Sequence, residues 1–308
     1  MPVIRRVVKP RTQRAKRALV RREPQLIENP KNAMFLRGSN CSQLVVDCMK
    51  DLVALKKPLA TYFNRRNEIR PMEDVTPLES FGKQHDCSLF AMGSHSKKRP
   101  HNLIIGRLYD YHLLDMVELG ILSHSKMSSF HINEIMTGAK PVIIFSGEAF
   151  QTEPQYQRLK NLFLDFFRGE EVTSVRLMGL EHVICITAVE AKILLRCYHV
   201  QYKKSGSETP RVELEEMGPA TEWELRRMRL ASDDLFKLAT RMPKQLKVKK
   251  KKNLSKDVFG TQVGRIHMQR QDLAKLQTRK MKALKKGGKN KKPSDLSSET
   301  LAQPMEAE

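Results

Sequence analysis

Residues Gly93–Gly120 read GSHSKKRPHNLIIGRLYDYHLLDMVELG, and the apolar spacing of this stretch decides the fold class. Leu89 and Phe90 precede a basic turn, and Leu103, Ile104 and Ile105 follow it as a short apolar run bounded by turn residues, which predicts two strands around a hairpin tip. Between the arms stand His95, Lys97, Lys98, Arg99 and Pro100. Pro100 fixes its own φ and pushes Arg99 toward an extended backbone, so the cationic tip is expected to be stiff. Three adjacent cations on a stiff loop suit a phosphate-rich surface better than a small substrate; the plain alternative is a solvated turn. His112 to Leu119 is predicted to form a short helix, capped by Asp110 and ended by Gly120.

Outward from this stretch the periodicities alternate between helix and strand, giving a mixed α/β (α+β) class. Upstream, residues 1–30 are basic, broken by Pro10, Pro24 and Pro30, and are expected to lack structure without a partner. Asn32-Ala33-Met34 leads into a short basic segment ending at Gly38. A helix is predicted from about Ser42 to Leu55, with Leu44, Val45, Cys48, Met49, Leu52 and Val53 on its apolar stripe. Pro71–Pro77 reads as a loop, and Leu78–Phe81 as a helical turn. Downstream, residues 121–140 are the least patterned part and read as a connection between halves. Val142–Phe145 reads as a buried strand. Gln155–Arg168 is a strong helix with Tyr156, Leu159, Leu162, Phe163, Phe166 and Phe167 on one face. Strands are expected near Val172–Leu177, Val183–Val189 and Ile193–Tyr202, the second of them covered on both sides. A second basic tip, Lys203-Lys204-Ser205-Gly206, leads to a strand at Arg211–Glu216. Trp223–Leu230 fits strand or helix, and Ser232 caps a helix beginning at Asp233 and Asp234. Pro243 is expected to close the folded body, and Phe259-Gly260 to Gly264 reads as a loop.

The 308 residues carry a formal charge of +22, and its placement says more than its sum. Residues 1–25 hold nine Lys/Arg against Glu23, and 241–292 hold 19 against Asp257 and Asp272. The span between them is close to neutral, and 293–308 contains only acids among its charges. A near-neutral body with two basic arms points to a polyanion, because Lys/Arg contacts to phosphates release condensed counterions. A membrane is the poorer partner: no run approaches the roughly 20 apolar residues of a spanning helix. The basic N-terminus has neither the apolar core of a secretory signal nor the amphipathic stripe of a mitochondrial one. Five scattered cysteines without a C-x-x-C pair fit buried thiols in a reducing compartment rather than a zinc site.

Catalytic constellations find little support. There is no Walker phosphate loop, no dinucleotide-binding glycine motif and no nucleophile elbow, and Ser94-His95 has nothing to orient it. Asp110, His112 and Asp115 are the one cluster that fits an RNA-processing enzyme, against the simpler reading of a helix cap. No catalytic residue, cofactor or metal is therefore assigned. Nucleic-acid binding is favoured, and RNA over DNA, since no zinc finger, basic zipper or helix-turn-helix is present. A single Trp and few exposed-looking aromatics leave backbone and shape contacts as the expected mode. The expected RNA contacts are Lys97, Lys98 and Arg99; Lys203 and Lys204; Arg226, Arg227 and Arg229; and, in the tail, Lys249, Lys250, Lys251, Lys252, Arg265, Arg270, Arg279 and Lys280. The run Lys249–Lys252 also fits a nuclear import signal. A protein-only scaffold whose arms bind acidic proteins is the remaining alternative.

The opening stretch, together with Asp86-Cys87-Ser88-Leu89-Phe90, resembles the signature of the Brix-domain family. Arg211-Val212-Glu213-Leu214-Glu215-Glu216-Met217-Gly218-Pro219 and Leu230-Ala231-Ser232-Asp233-Asp234-Leu235 resemble its second half. Val7-Val8-Lys9-Pro10, Arg14-Ala15-Lys16-Arg17 and the segments Phe259–Gln269 and Leu276–Met281 extend the resemblance to about residues 7–286. Residues 121–140 depart from the family's pattern, and 293–308 form an extra acidic tail. The resemblance implies two pseudo-symmetric halves, about 31–130 and 140–240, each a sheet packed with helices. Around this 31–240 body lie a basic arm (1–30), a basic RNA- and partner-binding extension (241–292) and the acidic tail (293–308). It further implies a non-enzymatic factor of the nucleus and nucleolus that binds 5S rRNA and pre-ribosomal RNA. Its implied partners are the regulator of ribosome synthesis protein, as a heterodimer, and the ribosomal proteins that carry 5S rRNA.

Overall fold

A computed structural model of the chain describes residues 10–23, 25–131, 136–172, 174–206, 209–247, 251–257 and 259–271. In chain order the elements are α1 (Gln13–Arg21), β1 (Ala33–Gly38), α2 (Gln43–Lys56), β2 (Ala60–Asn67), α3 (Thr76–His85), β3 (Leu89–Ser94), β4 (Asn102–Tyr109) and β5 (His112–Ser125). There follow β6 (Val142–Ser146), α4 (Ala149–Thr152), α5 (Pro154–Phe167), β7 (His182–Val189), β8 (Lys192–Lys203), β9 (Arg211–Glu216), β10 (Ala220–Arg229) and α6 (Asp233–Ala239). The chain divides into two units, Met1–Lys247 and Val248–Glu308; the second contains a small hairpin of β11 (Leu254–Lys256) and β12 (Gln262–Gly264).

The first unit is built on one sheet of order β2-β1-β3-β4-β5-β10-β8-β7-β6, with β9 also paired to β8. The two halves therefore share a sheet, joined where β5 meets β10 in antiparallel register. On one face the inward residues of both halves (among them Phe35, Ile105, Val117, Ile184, Leu195 and Trp223) pack against α2 and α5. Six residues of α5, Tyr156 to Phe167 at helical spacing, are all buried there, each contributing about 1.5–3 kcal/mol by removal from water. On the other face Leu78 of α3 covers Met34, Phe90, Ile104 and Met116, all in the first half.

The predicted helix at His112–Leu119 is instead the start of β5. Its spacing satisfies both periods, and the turn decides between them. Asp110 and Tyr111 both have φ in the left-handed region (49° and 61°), the geometry of a two-residue hairpin turn rather than of a helix cap. In the strand, Val117, Leu119 and Ile121 face one cluster and Met116 the other.

Other expectations change as well. The 33–38 segment is the central parallel strand β1, not a basic lead-in. The region 60–67 forms the edge strand β2. The helix begun at Leu78 extends over Thr76–His85. Trp223–Arg229 lies within strand β10. Part of the basic N-terminal arm is ordered: α1 is capped by Thr12, buries none of its own residues, and is followed by Arg22, whose guanidinium donates to the carbonyls of Lys83 and Gln84. β5 runs into the expected connection as far as Ser125, and the 259–264 loop ends in β12. No strand forms over the described residues of 172–177.

Among the described residues the second half also has no helix equivalent to α3. β7 is accordingly covered fully on one face only; on the other Val183 is buried but Cys185 and Thr187 are half-buried. β6 is not a buried strand, since Ile144 remains 44% exposed.

A buried charge network fastens β4 and β5 to α5. Arg107 makes a bidentate pair with Asp115 (2.6 and 2.8 Å) and reaches Asn161 (2.7 Å) and Asp165 (2.5 Å), while Lys31 binds Asp165 at 2.9 Å. Both members of the Arg107–Asp115 pair are almost wholly out of water, so removing one leaves an uncompensated charge. Arg107→Ala is expected to lower stability by about 3–5 kcal/mol, read as a lower urea midpoint; an unchanged midpoint would remove the network from the account of the fold.

Candidate nucleic-acid interface

The basic tip between β3 and β4 is tightly wound. Ser96 and Arg99 exchange backbone hydrogen bonds at 3.1 Å, and His95 N–H donates to the carbonyl of Asn40 at 2.8 Å. This places Lys97 and Lys98 at the exposed apex, with no ion-pair partner among the described residues. Arg99 turns back. It and Arg227 of β10 both bind the carboxylate of Glu118, a residue of β5 with no exposed surface. Asn102 Nδ2 donates to the same carboxylate at 2.9 Å, and Arg227 Nη2 adds a contact at 3.1 Å. Arg226 lies alongside, donating to the carbonyl of Pro100 at 2.9 Å. It fits because Gly120 has no side chain: a Cβ there would stand 2.4 Å from the guanidinium. Two of the expected contacts, Arg99 and Arg227, thus bind one buried acid, and Arg226 joins them through Pro100 and Asn102. Lys97 and Lys98, in the same turn as Arg99, point free cations outward.

The remaining contacts lie elsewhere. Lys203 pairs with Glu213 across the β8–β9 turn, while Lys204 beside it is exposed and unpaired among the described residues. Arg229 is exposed at the end of β10. In the second unit Lys251, Lys252, Arg265 and Arg270 are exposed, alongside exposed Phe259, Ile266 and Met268. Lys249, Lys250, Arg279 and Lys280 lie outside the described residues.

Glu118 and Asn102, which hold the loop in place, escaped the sequence reading. The signal was available: in a strand, Glu118 shares a face with Met116, and a carboxylate on a buried face requires cations. Burial raises the pKa of Glu118, but hydrogen bonds from Arg227 and Asn102 and the charges of Arg227 and Arg99 outweigh it, so the carboxyl sits below the usual range.

The suggested catalytic cluster is dispersed. Asp110 is in the turn, His112 binds Glu79 at 3.2 Å, and Asp115 is spent on Arg107. Another triad-like line, Thr221–His124–Asp51 (2.9 and 3.2 Å), ties β10 and β5 to α2, but Thr221 has no exposed surface for a substrate to reach. No group of His, Cys, Asp and Glu among the described residues could hold a metal. Burial pushes the thiols of Cys48 and Cys87 up to about 12 and about 11, as in structural cysteines. No helix among the described residues is long and apolar enough to cross a membrane.

The Brix domain pattern matches residues 38–227. The chain is 56% identical over 264 residues to the human protein named ribosome production factor 2 homolog, covering 86% of each. It is 54% identical to the Bos taurus protein of that name, over 86% of this chain and 87% of the relative. The Drosophila melanogaster protein of that name is 45% identical, over 93% of this chain and 90% of the relative.

Replacing Glu118 by Gln removes the counter-charge of two arginines that are themselves partly solvated, so a loss of about 1–3 kcal/mol is expected, below that of a fully buried pair. Because the folded pKa is depressed, the stabilisation from Glu118 is complete above the unfolded carboxyl value of about 4.3 and disappears as pH falls through the lower folded value. The Gln variant should therefore lose less stability than wild type on acidification through that window. Parallel pH–stability curves for the two proteins would contradict this.

Proposed function

The chain belongs to the Brix-domain family and is a ribosome biogenesis factor, and from that premise we propose that it acts in assembly of the large subunit by gripping 5S rRNA and bringing the 5S particle to the pre-ribosome. It works without catalysis, in the nucleus and nucleolus, beside a regulator of ribosome synthesis protein as a heterodimeric partner and the ribosomal proteins that carry 5S rRNA. The observation that carries the RNA reading is the basic cluster around Glu118. There a buried acid orients the loop and leaves Lys97 and Lys98 free for phosphates, while Lys204 and the tail cations add reach. In this reading residues 31–240 position the RNA and 241–292 supply most of the electrostatic hold. The scattered Asp110, His112 and Asp115 support a binding role over a cleaving one.

For the protein partner, the edge of β6 is the surface best supported. Its first-half counterpart β1 is paired on both sides, by β2 and β3, whereas β6 pairs only with β7 among the described residues and exposes Ile144. An added strand would satisfy that edge.

If six to ten phosphates are engaged, affinity for 5S rRNA should fall by about 10³–10⁵ between roughly 50 and 200 mM salt. Substituting Lys97, Lys98 and Lys204 together by Gln should weaken binding and flatten the salt slope, without moving the thermal transition. A flat salt response in wild type would eliminate the electrostatic account. Crosslinking in cells that recovered protein partners but no 5S rRNA would favour the scaffold reading. For the partner surface, Ile144→Lys should cut co-purification of the partner while leaving RNA affinity intact.

A further inference from the structure

The loop and tips above make no use of the crevice at the carboxyl ends of β1, β2 and β3. From β1 the chain passes over one face through α2 to β2, then returns over the other face through α3 to β3 on the opposite side of β1. The connections leaving β1 and β3 therefore diverge. Open α/β sheets bind ligands in the crevice that such a reversal leaves beyond the strand ends. Here that crevice is an open cleft of about 430 Å³, lined by the turn Ser39–Ser42 together with Arg37, Arg66 and His95.

Its charge is one-sided. Arg37 and Arg66 are register neighbours on β1 and β2, no carboxylate lines the cleft, and neither guanidinium has a partner among the described residues. Like charges set side by side on adjacent strands repel unless something neutralises them. Arg37 is also half-buried, and its Nε is out of reach of solvent yet donates to nothing. Tyr62 Oη, in the field of Arg37, is buried and unpartnered too. Native proteins usually answer such buried donors with an ordered water, an ion or a ligand.

The backbone adds to this. The fourteen-residue helix α2 starts at the lining turn, with no acid in its first turn. Its N-cap Ser42 places no oxygen on the helix N–H groups, its Oγ being hydrogen-bonded to His101 Nδ1 at 2.8 Å. The N–H groups and the positive end of the dipole are thus unanswered by any side chain among the described residues. His95 Nδ1 accepts from the backbone N–H of His101 at 3.2 Å, which leaves Nε2 as the donating nitrogen.

We propose that this cleft seats one phosphate group of an RNA backbone, held by Arg37 and Arg66 and by donors from the start of α2 and His95. The assignment rests on the RNA-binding reading above but names a contact outside the basic cluster. RNA is favoured over a small anion because His95 lines the cleft and stands two residues before the exposed Lys97, so one strand of backbone passes from the cleft to the loop.

The test uses the full chain and a fluorescent 5S rRNA, titrated by anisotropy between roughly 50 and 300 mM salt. Arg66 is exposed, so Arg66→Gln leaves the fold intact and carries the test if Arg37→Gln lowers thermal stability. Each variant is expected to weaken binding several-fold and to reduce the slope of log affinity against log salt by about one. Arg65→Gln removes the same charge from an exposed residue that does not line the cleft, and is expected to leave the slope as in wild type. An Arg66→Gln curve superimposed on wild type, or an Arg65→Gln effect equal to it, overturns the proposal. Wild type without affinity for RNA would instead bring down the RNA reading itself. Inorganic phosphate, titrated without RNA, is expected to shift the His95 ring signals in wild type and not in Arg66→Gln. Such shifts accompanied by unaltered RNA affinity would mark a small-anion site and refute the RNA assignment.

Discussion

Everything in the first unit depends on the antiparallel pairing of β5 with β10. That ladder turns two half-sheets into one, and it carries a charged pair within it: Glu118 and Arg227 are register partners. A carboxylate buried in a sheet is costly unless it is matched, and here it is matched three times, by Arg227, Arg99 and Asn102. The same contacts that settle its desolvation also connect the seam to the basic loop. The loop's direction is therefore a property of the interface between halves and not of its own turn chemistry alone. Arg99 and Arg227, which look like phosphate ligands in the sequence, contribute orientation first.

Much of the scaffold was legible because it obeys a single period. The α2 and α5 stripes stand out at helical spacing, and β7 and β8 as apolar runs of strand length. The stretch from His112 was not legible, because HLLDMVEL fits a helix and a strand equally well. The arbiter, the left-handed pair Asp110-Tyr111, is a backbone fact that Asp before an aromatic does not announce. β1 was obscured by its brevity and by Arg37 near its end, and β2 by four polar residues, Asn64, Arg65, Arg66 and Asn67, late in the strand. For the interface, the cations themselves were readable and their acceptors were not. Glu118 lies 19 residues from Arg99 and 109 from Arg227, and no local pattern links positions that far apart.

The two halves repeat a plan and then depart from it where exposure is useful. In the first half the central strand β1 is flanked on both sides, and both faces of the sheet are covered, by α2 on one and α3 on the other. The second half retains the helix on the shared face through α5 but has no described equivalent of β2 or α3. Apolar surface that the first half buries internally, the second half leaves at Ile144 and along one face of β7 and β8. A monomer gains nothing from such exposure, whereas a subunit of an assembly does.

The seam between the halves also sets a timetable for the chain's birth. β5 leaves the ribosome long before its neighbour, since Arg227 follows Glu118 by 109 residues. At about 5–20 residues per second, the edge of β5 waits for something like five to twenty seconds, with the Glu118 carboxylate on it and no β10 to answer it. During that interval the first half is an open-edged sheet whose carboxylate is held by Arg99 and Asn102 alone and still lacks Arg227, and a charged side chain on an open edge discourages strand-to-strand adhesion with neighbouring nascent chains. The acid that later locks the finished fold serves, while the chain is still incomplete, as its protection against premature pairing.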